Sequence, residues 1–561
     1  EKFGAIKTDQ GANALGGIAG ARLSNEDLYL FQKFFRDVIG THNVDHRIGV
    51  SAALEDETAY TVGVGLGTDL GRVGQGTTIL VIGSDLDHEA PILFLRVAGA
   101  SVKRGAHLIN AGGRRTKLDA QAQTSLRYHY GTAAYLVLGL LASVVEQGLV
   151  NKDWLESHTQ GFSDLEASIQ AYTPAKVAEI TGVSTEEIET TAKAFAEAQN
   201  GLILFGLEAG NDPALRAAVE ALALVTGHAG RADNGVLAIL PHANSRGAAD
   251  MGVVPDRLPG YQPIEGETGA SAQAMVSGAV KGLLLAGVDP AADNDAYRQS
   301  LSDLDFLVVQ DLFLTETAQL ADVVLPAQGV AERDGTYTNL ERRVQAFDPG
   351  VPTPGQAWAD WLIVTALAGQ MDADWGYASA DGVMAEITQT VSLYRKMQFA
   401  NLIAPVSLER KTSHYIYEGM SFTGDVREGV QWRTVAESDA PVSLRFIEPE
   451  AVSTTSEEGV TLVSPRFLYD GGRLLAEAEI VQPRLTPAEI VLSRVDAEKL
   501  AVSNGDQVKI SQNGTTIDLP VHINRTLTEG MALLPRNLTG RPAEKLIGEA
   551  GLYATVKIEK I

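Results

Sequence analysis

The stretch Gln310 to Gln345, QDLFLTETAQLADVVLPAQGVAERDGTYTNLERRVQ, decides the fold class. A strand over Phe306 to Val309 leads into it, a short helix is expected around Thr315 to Leu320, and an apolar run Val323 to Leu325 stops at Pro326. Strand, helix and strand in that order are the grammar of an α/β fold. The tail, Glu332 to Gln345, reads as a polar loop with one glycine for a tight bend. Such a loop can hold a polyanion or brace a domain junction, and its residues alone favour a solvated connector.

The same grammar recurs outward from this stretch. Thr77 to Gly83 (TTILVIG) is a continuous apolar run closed by glycine, which suits a parallel strand buried on both faces. Ser84 and Asp85 follow, then a helix to about Gly99 and a second strand His107 to Asn110, which together make a βαβ unit. The phrase returns at Lys281 to Pro290 (KGLLLAGVDP) and in shorter form at Gly201 to Gly206 (GLILFG). Each is either a nucleotide-binding edge or a repeated building block, and pattern alone favours the building block.

Ser24 with Asp27, and Ser184 with Glu187, have the spacing of helix-starting capping boxes. The helix from Leu28 to Ile39 places Leu28, Phe31, Phe34, Phe35 and Val38 on one face, the pattern of a core stripe. The glycines between Val62 and Gly76 lack the Lys-Ser/Thr of a P-loop and read as a flexible approach loop. His42 and His46 have no third ligand in view, so a metal reading is set aside. Pro241 to Tyr261 is a long glycine- and proline-containing loop, and loops of that length inside a domain tend to be functional. After the polar linker Val452 to Gly459 the periodicity shortens to strands at Val460 to Val463, Glu489 to Leu492, Gln507 to Ile510, Thr516 to Leu519 and Met531 to Leu534. Asn513-Gly514 is a hairpin signal, so a small β-barrel-like domain is expected.

Composition narrows the function classes. Lys and Arg total 45 against 71 Asp and Glu, a net charge of −26, which argues against nucleic-acid binding or attraction to anionic lipid. With no cysteine, the chain supplies no thiolate to an iron–sulfur cluster or zinc. The apolar helix Ala133 to Val145 is shorter than the roughly 20 residues a bilayer requires, so no direct membrane insertion is expected. The chain opens at Glu1 in text that reads like a domain interior, and is expected to be part of a longer polypeptide.

Taken together, Arg22 to Glu26, Asn43 to Asp45, Gly83 with Ser84 and Asp85, Gly247 to Gly252, Leu258 to Tyr261, Ala321 to Pro326 and Glu332 to Arg343 resemble the molybdopterin oxidoreductase superfamily over nearly the whole chain. Within it the chain looks most like the large-subunit family of bacterial NADH:quinone oxidoreductase, respiratory complex I. The resemblance implies α/β parallel-sheet domains with a C-terminal β-barrel, divided as 1–76 with 237–451, 77–236, and 459–561. It implies a redox-silent structural part of a peripheral-arm subunit, on the cytoplasmic side of the bacterial inner membrane. NADH-binding and iron–sulfur subunits would be its partners, and iron–sulfur clusters would lie in a preceding region of the full subunit. The alternative is a catalytic subunit of a formate dehydrogenase or related molybdoenzyme.

By the same resemblance Ser51 falls on the metal-ligand position of active relatives, and serine can ligate molybdenum in some of them. Ala52 stands where formate dehydrogenases carry a histidine, Gly49 where they carry an arginine, and Asn110 followed by Ala111 where an aspartate often meets a guanine. These departures imply no catalytic group, metal or cofactor in this chain. Arg22, Gly83, Asp85, Arg114, Arg115, Gly287 and Arg333 then mark an ancestral cofactor cleft, with the charged members in structural ion pairs. By the same resemblance Gln310 to Gln345 would be a junction segment, with Ala321 to Pro326 a buried strand and Glu332 to Arg343 facing that cleft.

Overall fold

The computed structural model describes residues 1–48, 57–209, 212–395, 397–402, 416–418, 421–423, 429–451, 459–548 and 551–561. They divide into two compact units, 1–67 with 240–434 and 68–239 with 435–561.

The first unit is built on a five-stranded sheet in the order Val323–Pro326, Phe306–Asp311, Gly282–Ala286, Leu15–Ala19, Val44–Asp45, every neighbour parallel. Its two central strands are buried at every position, as runs of Leu, Ile, Gly and Ala between covering helices must be. From Leu15–Ala19 the chain moves to one side of the sheet, and from Gly282–Ala286 to the other, so strand order reverses between them. Gly17 is required there, because a Cβ would meet the Phe35 ring at 2.1 Å.

Phe35 comes from the helix Asn25–Lys33, which continues as a π-helical turn Phe34–Ile39 and stops at Gly40 in the left-handed region. The expected Ser24–Asp27 box starts it: the Asp27 amide donates to Ser24 Oγ and the Ser24 amide to Asp27 Oδ2. Leu28, Phe31, Phe34 and Phe35 are buried as the stripe predicts, while Val38 is partly exposed.

The second unit holds another all-parallel sheet, in the order Thr124–Arg127, His107–Gly112, Thr77–Ile82, Asn200–Phe205, Gly235–Ala238. Thr77–Ile82 is central and buried throughout. Strand order reverses again, between Thr77–Ile82 and Asn200–Phe205. The same unit contains a closed six-stranded barrel of Val460–Val463, Met531–Leu533, Ile490–Ser493, Thr515–Asn524, Gln507–Gln512 and Tyr553–Lys560. The Asn513-Gly514 turn has positive φ at both residues, 46° and 84°, as a tight hairpin demands. The fold is thus the expected one of parallel-sheet α/β domains with a barrel toward the C-terminus.

Local expectations change in the opening stretch. Val323–Pro326 is a strand, but it lies at the sheet edge, with Val323 38% and Val324 39% exposed. An apolar run reports side-chain character, not the number of neighbouring strands. The short helix there is only a 3₁₀ turn, Ala318–Leu320. Glu332 to Gln345 is not a solvated loop either. It contains the antiparallel pair Gly335–Thr338 and Arg343–Phe347, with Thr336, Thr338, Arg342 and Arg343 buried. Its polar groups find partners: the Thr336 amide and hydroxyl donate to Glu26, the Thr338 amide donates to Asn244, and Arg342 donates to the Trp432 and Val64 carbonyls. Among the described residues no helix is long and apolar enough to cross a membrane.

Candidate functional site

In open parallel sheets a ligand site forms beyond the carboxyl ends of the strands where strand order reverses. Each unit has one such edge. In the second unit, Thr77–Ile82 ends in Gly83 (φ 58°), Ser84 and Asp85, and Asn200–Phe205 ends in Gly206, Leu207 and Glu208. The two turns touch, since a Cβ on Gly206 would lie 2.3 Å from Ser84 Cβ and 2.6 Å from Glu89 Oε2.

Three carboxyl groups and one guanidinium gather at this edge. Arg114 Nη2 donates to Asp85 Oδ2 at 2.8 Å and also to Glu208 Oε1, while Nε donates to Glu208 Oε2 at 3.2 Å. Tyr130 Oη donates to Glu208 Oε2 at 3.0 Å. Glu89 uses a single oxygen: Oε2 accepts from Ser84 Oγ at 2.6 Å and from the Leu207 amide at 3.4 Å. Its Oε1 is enclosed without a hydrogen-bond partner, as is the Tyr128 hydroxyl. The Glu89 residue is partly exposed, yet its carboxyl is shut in. Loss of solvation, then the nearby Glu208 and Asp85 charges, push the Glu89 carboxyl up to about 8.

The first unit repeats the plan. Leu15–Ala19 runs into Gly20, Ala21 and Arg22; Gly282–Ala286 runs into Gly287 (φ 65°), Val288 and Asp289. A Cβ on Gly20 would lie 2.5 Å from the Gly287 carbonyl oxygen. Arg22 Nη2 donates to that same carbonyl at 2.7 Å. Asp289 Oδ1 accepts from the Thr317 amide and hydroxyl at 2.8 and 2.6 Å. Arg333 Nη1 lies 2.5 Å from Asp27 Oδ2 and 2.6 Å from Asp360 Oδ2. Burial raises Asp360 to about 7 against the pull of Arg333, and burial raises Glu26 to about 7 although Thr336 donates to it twice.

A third buried network escaped the sequence reading. Asp250 Oδ1 accepts from Tyr261 Oη at 2.8 Å, and Oδ2 accepts from Tyr394 Oη at 2.8 Å and Trp432 Nε1 at 2.9 Å. Burial lifts its carboxyl to about 6 despite Arg246 and the three donors. Asp250 and Tyr261 stand in two of the motif segments quoted above, but nothing in the sequence pairs them with Trp432.

The named cleft residues therefore fall in two groups, Gly83, Asp85 and Arg114 in the second unit and Arg22, Gly287 and Arg333 in the first. Arg115 is exposed, and Asn110 Nδ2 donates to Thr116 Oγ1. Ser51, with Gly49 and Ala52, lies outside the described residues. Among the described residues no group of three or more His, Asp or Glu is placed to hold a metal ion.

A pterin guanine dinucleotide, which the family resemblance brings into question, carries a pyrophosphate that needs free N–H and O–H donors or cations. At the second unit's edge the Glu89 carboxyl already takes the Ser84 hydroxyl and the Leu207 amide, and Arg114 is bound to Asp85 and Glu208. With the Glu89 carboxyl pushed up to about 8 and so uncharged at pH 7, the Asp85 and Glu208 carboxylates still outnumber the one buried guanidinium. These residues, as arranged, do not fit a pyrophosphate.

Comparison with known proteins places the chain. The family model described as Molybdopterin oxidoreductase matches residues 1–370. The chain is 30% identical to the NADPH-Fe(3+) oxidoreductase subunit alpha of Geobacter sulfurreducens, over 99% of its own length and 65% of that subunit's. It is also 30% identical to the F420-dependent formate dehydrogenase subunit alpha of Methanocaldococcus jannaschii, over 93% of its own length and 81% of that subunit's. Acetylene hydratase from Pelobacter acetylenicus superposes with a TM-score of 0.74 over all of this chain and 88% of that one, at 19% identity, and so shares the fold. Formate dehydrogenase, the alternative expectation, is among these names; a complex I subunit is not. This chain belongs to the molybdopterin oxidoreductase family.

Proposed function

We propose that the chain is part of the large, alpha-type subunit of a multisubunit molybdopterin oxidoreductase of the formate dehydrogenase kind. The observation that carries this reading is the 30% identity running through 93% of the chain and 81% of the Methanocaldococcus formate dehydrogenase alpha subunit. The chain spans only 65% of the Geobacter alpha subunit, so activity, substrate and partner subunits all belong to the proposal.

A second reading has its own support. Glu89 sits on the donors an anion would use, and Arg114 and Arg333 are held between carboxylates of the same chain. These observations favour a redox-silent large subunit of the complex I kind, held at the membrane's cytoplasmic side by NADH-binding and iron–sulfur subunits. Ala52 and Gly49, in place of a histidine and an arginine, point the same way.

One experiment separates the two. The full subunit is purified with its companions, molybdenum, tungsten and released pterin are measured per chain, and formate-dependent dye reduction is assayed. Stoichiometric metal and pterin with formate activity support the first reading. Metal and pterin without formate activity keep the catalytic subunit and change its substrate. Absence of both from an intact assembly refutes the first reading and favours the second.

A further inference from the structure

Four neighbouring strand ends of the second unit's sheet are joined through one side chain. Arg114 follows the strand His107–Gly112, Asp85 follows Thr77–Ile82, Glu208 follows Asn200–Phe205, and Tyr130, the hydroxyl donor to Glu208, follows Thr124–Arg127. These strands are consecutive in the sheet and span the point where its order reverses. Arg114 is 7% exposed, Asp85 4% and Glu208 8%, so the guanidinium and its two carboxylates meet out of water.

The turns around them are closed to a ligand in three ways. Space is taken: Gly206 stands against Ser84, and a Cβ on Gly113 would lie 2.5 Å from Tyr130 Cε2. Donors are spent: the Gly83 and Gly206 amides donate to the Ala111 and Ile82 carbonyls, and the Leu207 amide and Ser84 hydroxyl donate to Glu89. Charge is met: Arg114 Nη1 takes no part in the three bonds to Asp85 and Glu208, but the single positive charge that would draw a phosphate to it is outweighed by the carboxylates already there. A phosphate that took Arg114 from them would leave two carboxylates buried without a cation, which is strongly unfavourable.

We infer that Arg114, Asp85 and Glu208 are a built-in lock: the chain supplies its own anions to the guanidinium, and the second unit's edge takes no phosphate-bearing ligand. One pterin dinucleotide at most then remains for this chain, at the first unit's edge. The lock stands under either reading of the function, since only the first of them requires a dinucleotide at all.

The test uses the full subunit with its companions, and as probe guanosine diphosphate, which carries both a guanine and a pyrophosphate. Unaltered protein and Arg114→Met are expected to take up the probe equally, because the locked guanidinium contributes nothing. The double variant Asp85→Asn, Glu208→Gln keeps the side-chain shapes and removes both anions, and is expected to bind the probe roughly tenfold or more tightly than the unaltered protein. Adding Arg114→Met to it is expected to abolish that gain. Guanine nucleotide released on denaturing the unaltered assembly is expected at no more than one per chain, a count that needs no variant to fold. Probe uptake by unaltered protein that Arg114→Met weakens, a double variant that folds and binds no better, or two guanine nucleotides per chain would each overturn the lock. Neither reading of the function falls with it, because the metal and pterin content per chain decides between those.

Discussion

Glu89→Gln should stabilise this protein, and by an amount that grows with pH. Glu89 Oε2 takes both donors, Ser84 Oγ and the Leu207 amide, while Oε1 has none. A glutamine can keep its carbonyl oxygen where Oε2 stands and place its NH2 at Oε1 without losing either bond. The folded-state pKa is raised from 4.5 to about 8, so between those values the folded protein holds a proton that the unfolded chain releases. Stability from this group is therefore fully present below about pH 4.5 and lost as pH rises through 8. At roughly 1.4 kcal/mol per unit, the wild-type deficit relative to glutamine is on the order of 3 kcal/mol at pH 7 and 5 kcal/mol above pH 8. For a unit of this size, 3 kcal/mol corresponds to a melting shift of about 6 °C. Scanning calorimetry of both proteins from pH 5 to 8.5 should show the curves nearly coincident at the acid end and diverging steadily above it. A variant less stable than wild type at every pH, or an offset that does not change with pH, would refute the assignment of an enclosed, proton-holding carboxyl.

Other perturbations read the remaining clusters. Arg333→Met leaves Asp27 and Asp360 buried without their cation and should cost about 3–5 kcal/mol; losing the pull of Arg333 drives Asp360 above its present value of about 7, so the loss shrinks as pH falls and Asp360 takes up a proton, which denaturant melts at two pH values check. Asp250→Ala removes the acceptor of Trp432 Nε1 and Tyr394 Oη and should cost roughly 2–4 kcal/mol, with altered Trp432 fluorescence as a local signature. Gly206→Ala drives a methyl into Ser84 and Glu89 and should cost about 1–3 kcal/mol in thermal melts, whereas Gly505→Ala, with open space around it, should lack the steric part of that loss.

How much of this was legible depended on distance along the chain. Local signals carried well: the Ser24–Asp27 and Ser184–Glu187 boxes, the Asn513-Gly514 hairpin and the buried strand Thr77–Ile82 all depend on residues within a few positions of each other. The run Ala321 to Pro326 has similar apolar character to Thr77–Ile82 and ends up at a sheet edge, because edge or centre is decided by strands elsewhere. The recurring strand-Gly-x-Asp phrase was visible, but its two copies do different work, Asp85 binding Arg114 and Asp289 capping Thr317. The partners that set the charge of the edges were not visible. Glu208 meets Arg114 across 94 positions, and Trp432 meets Asp250 across 182. The closing barrel strand Tyr553–Lys560 also went unread, because an apolar residue at every second position over a short span is a weak signal.

The parallel pairing of Leu15–Ala19 with Gly282–Ala286 has a consequence for synthesis in the cell. Leu15 lies opposite Gly282, so the first sheet cannot close until the ribosome has delivered residues some 270 positions later. At about 5–20 residues per second that is a wait of roughly 15 to 50 seconds. During it Phe31, Phe34 and Phe35, which end among the most enclosed side chains of the protein, lack their final neighbours. Until then the newly made segment that carries these rings keeps apolar surface uncovered, while the sheet of Thr77–Ile82, complete by Ala238, can form ahead of it.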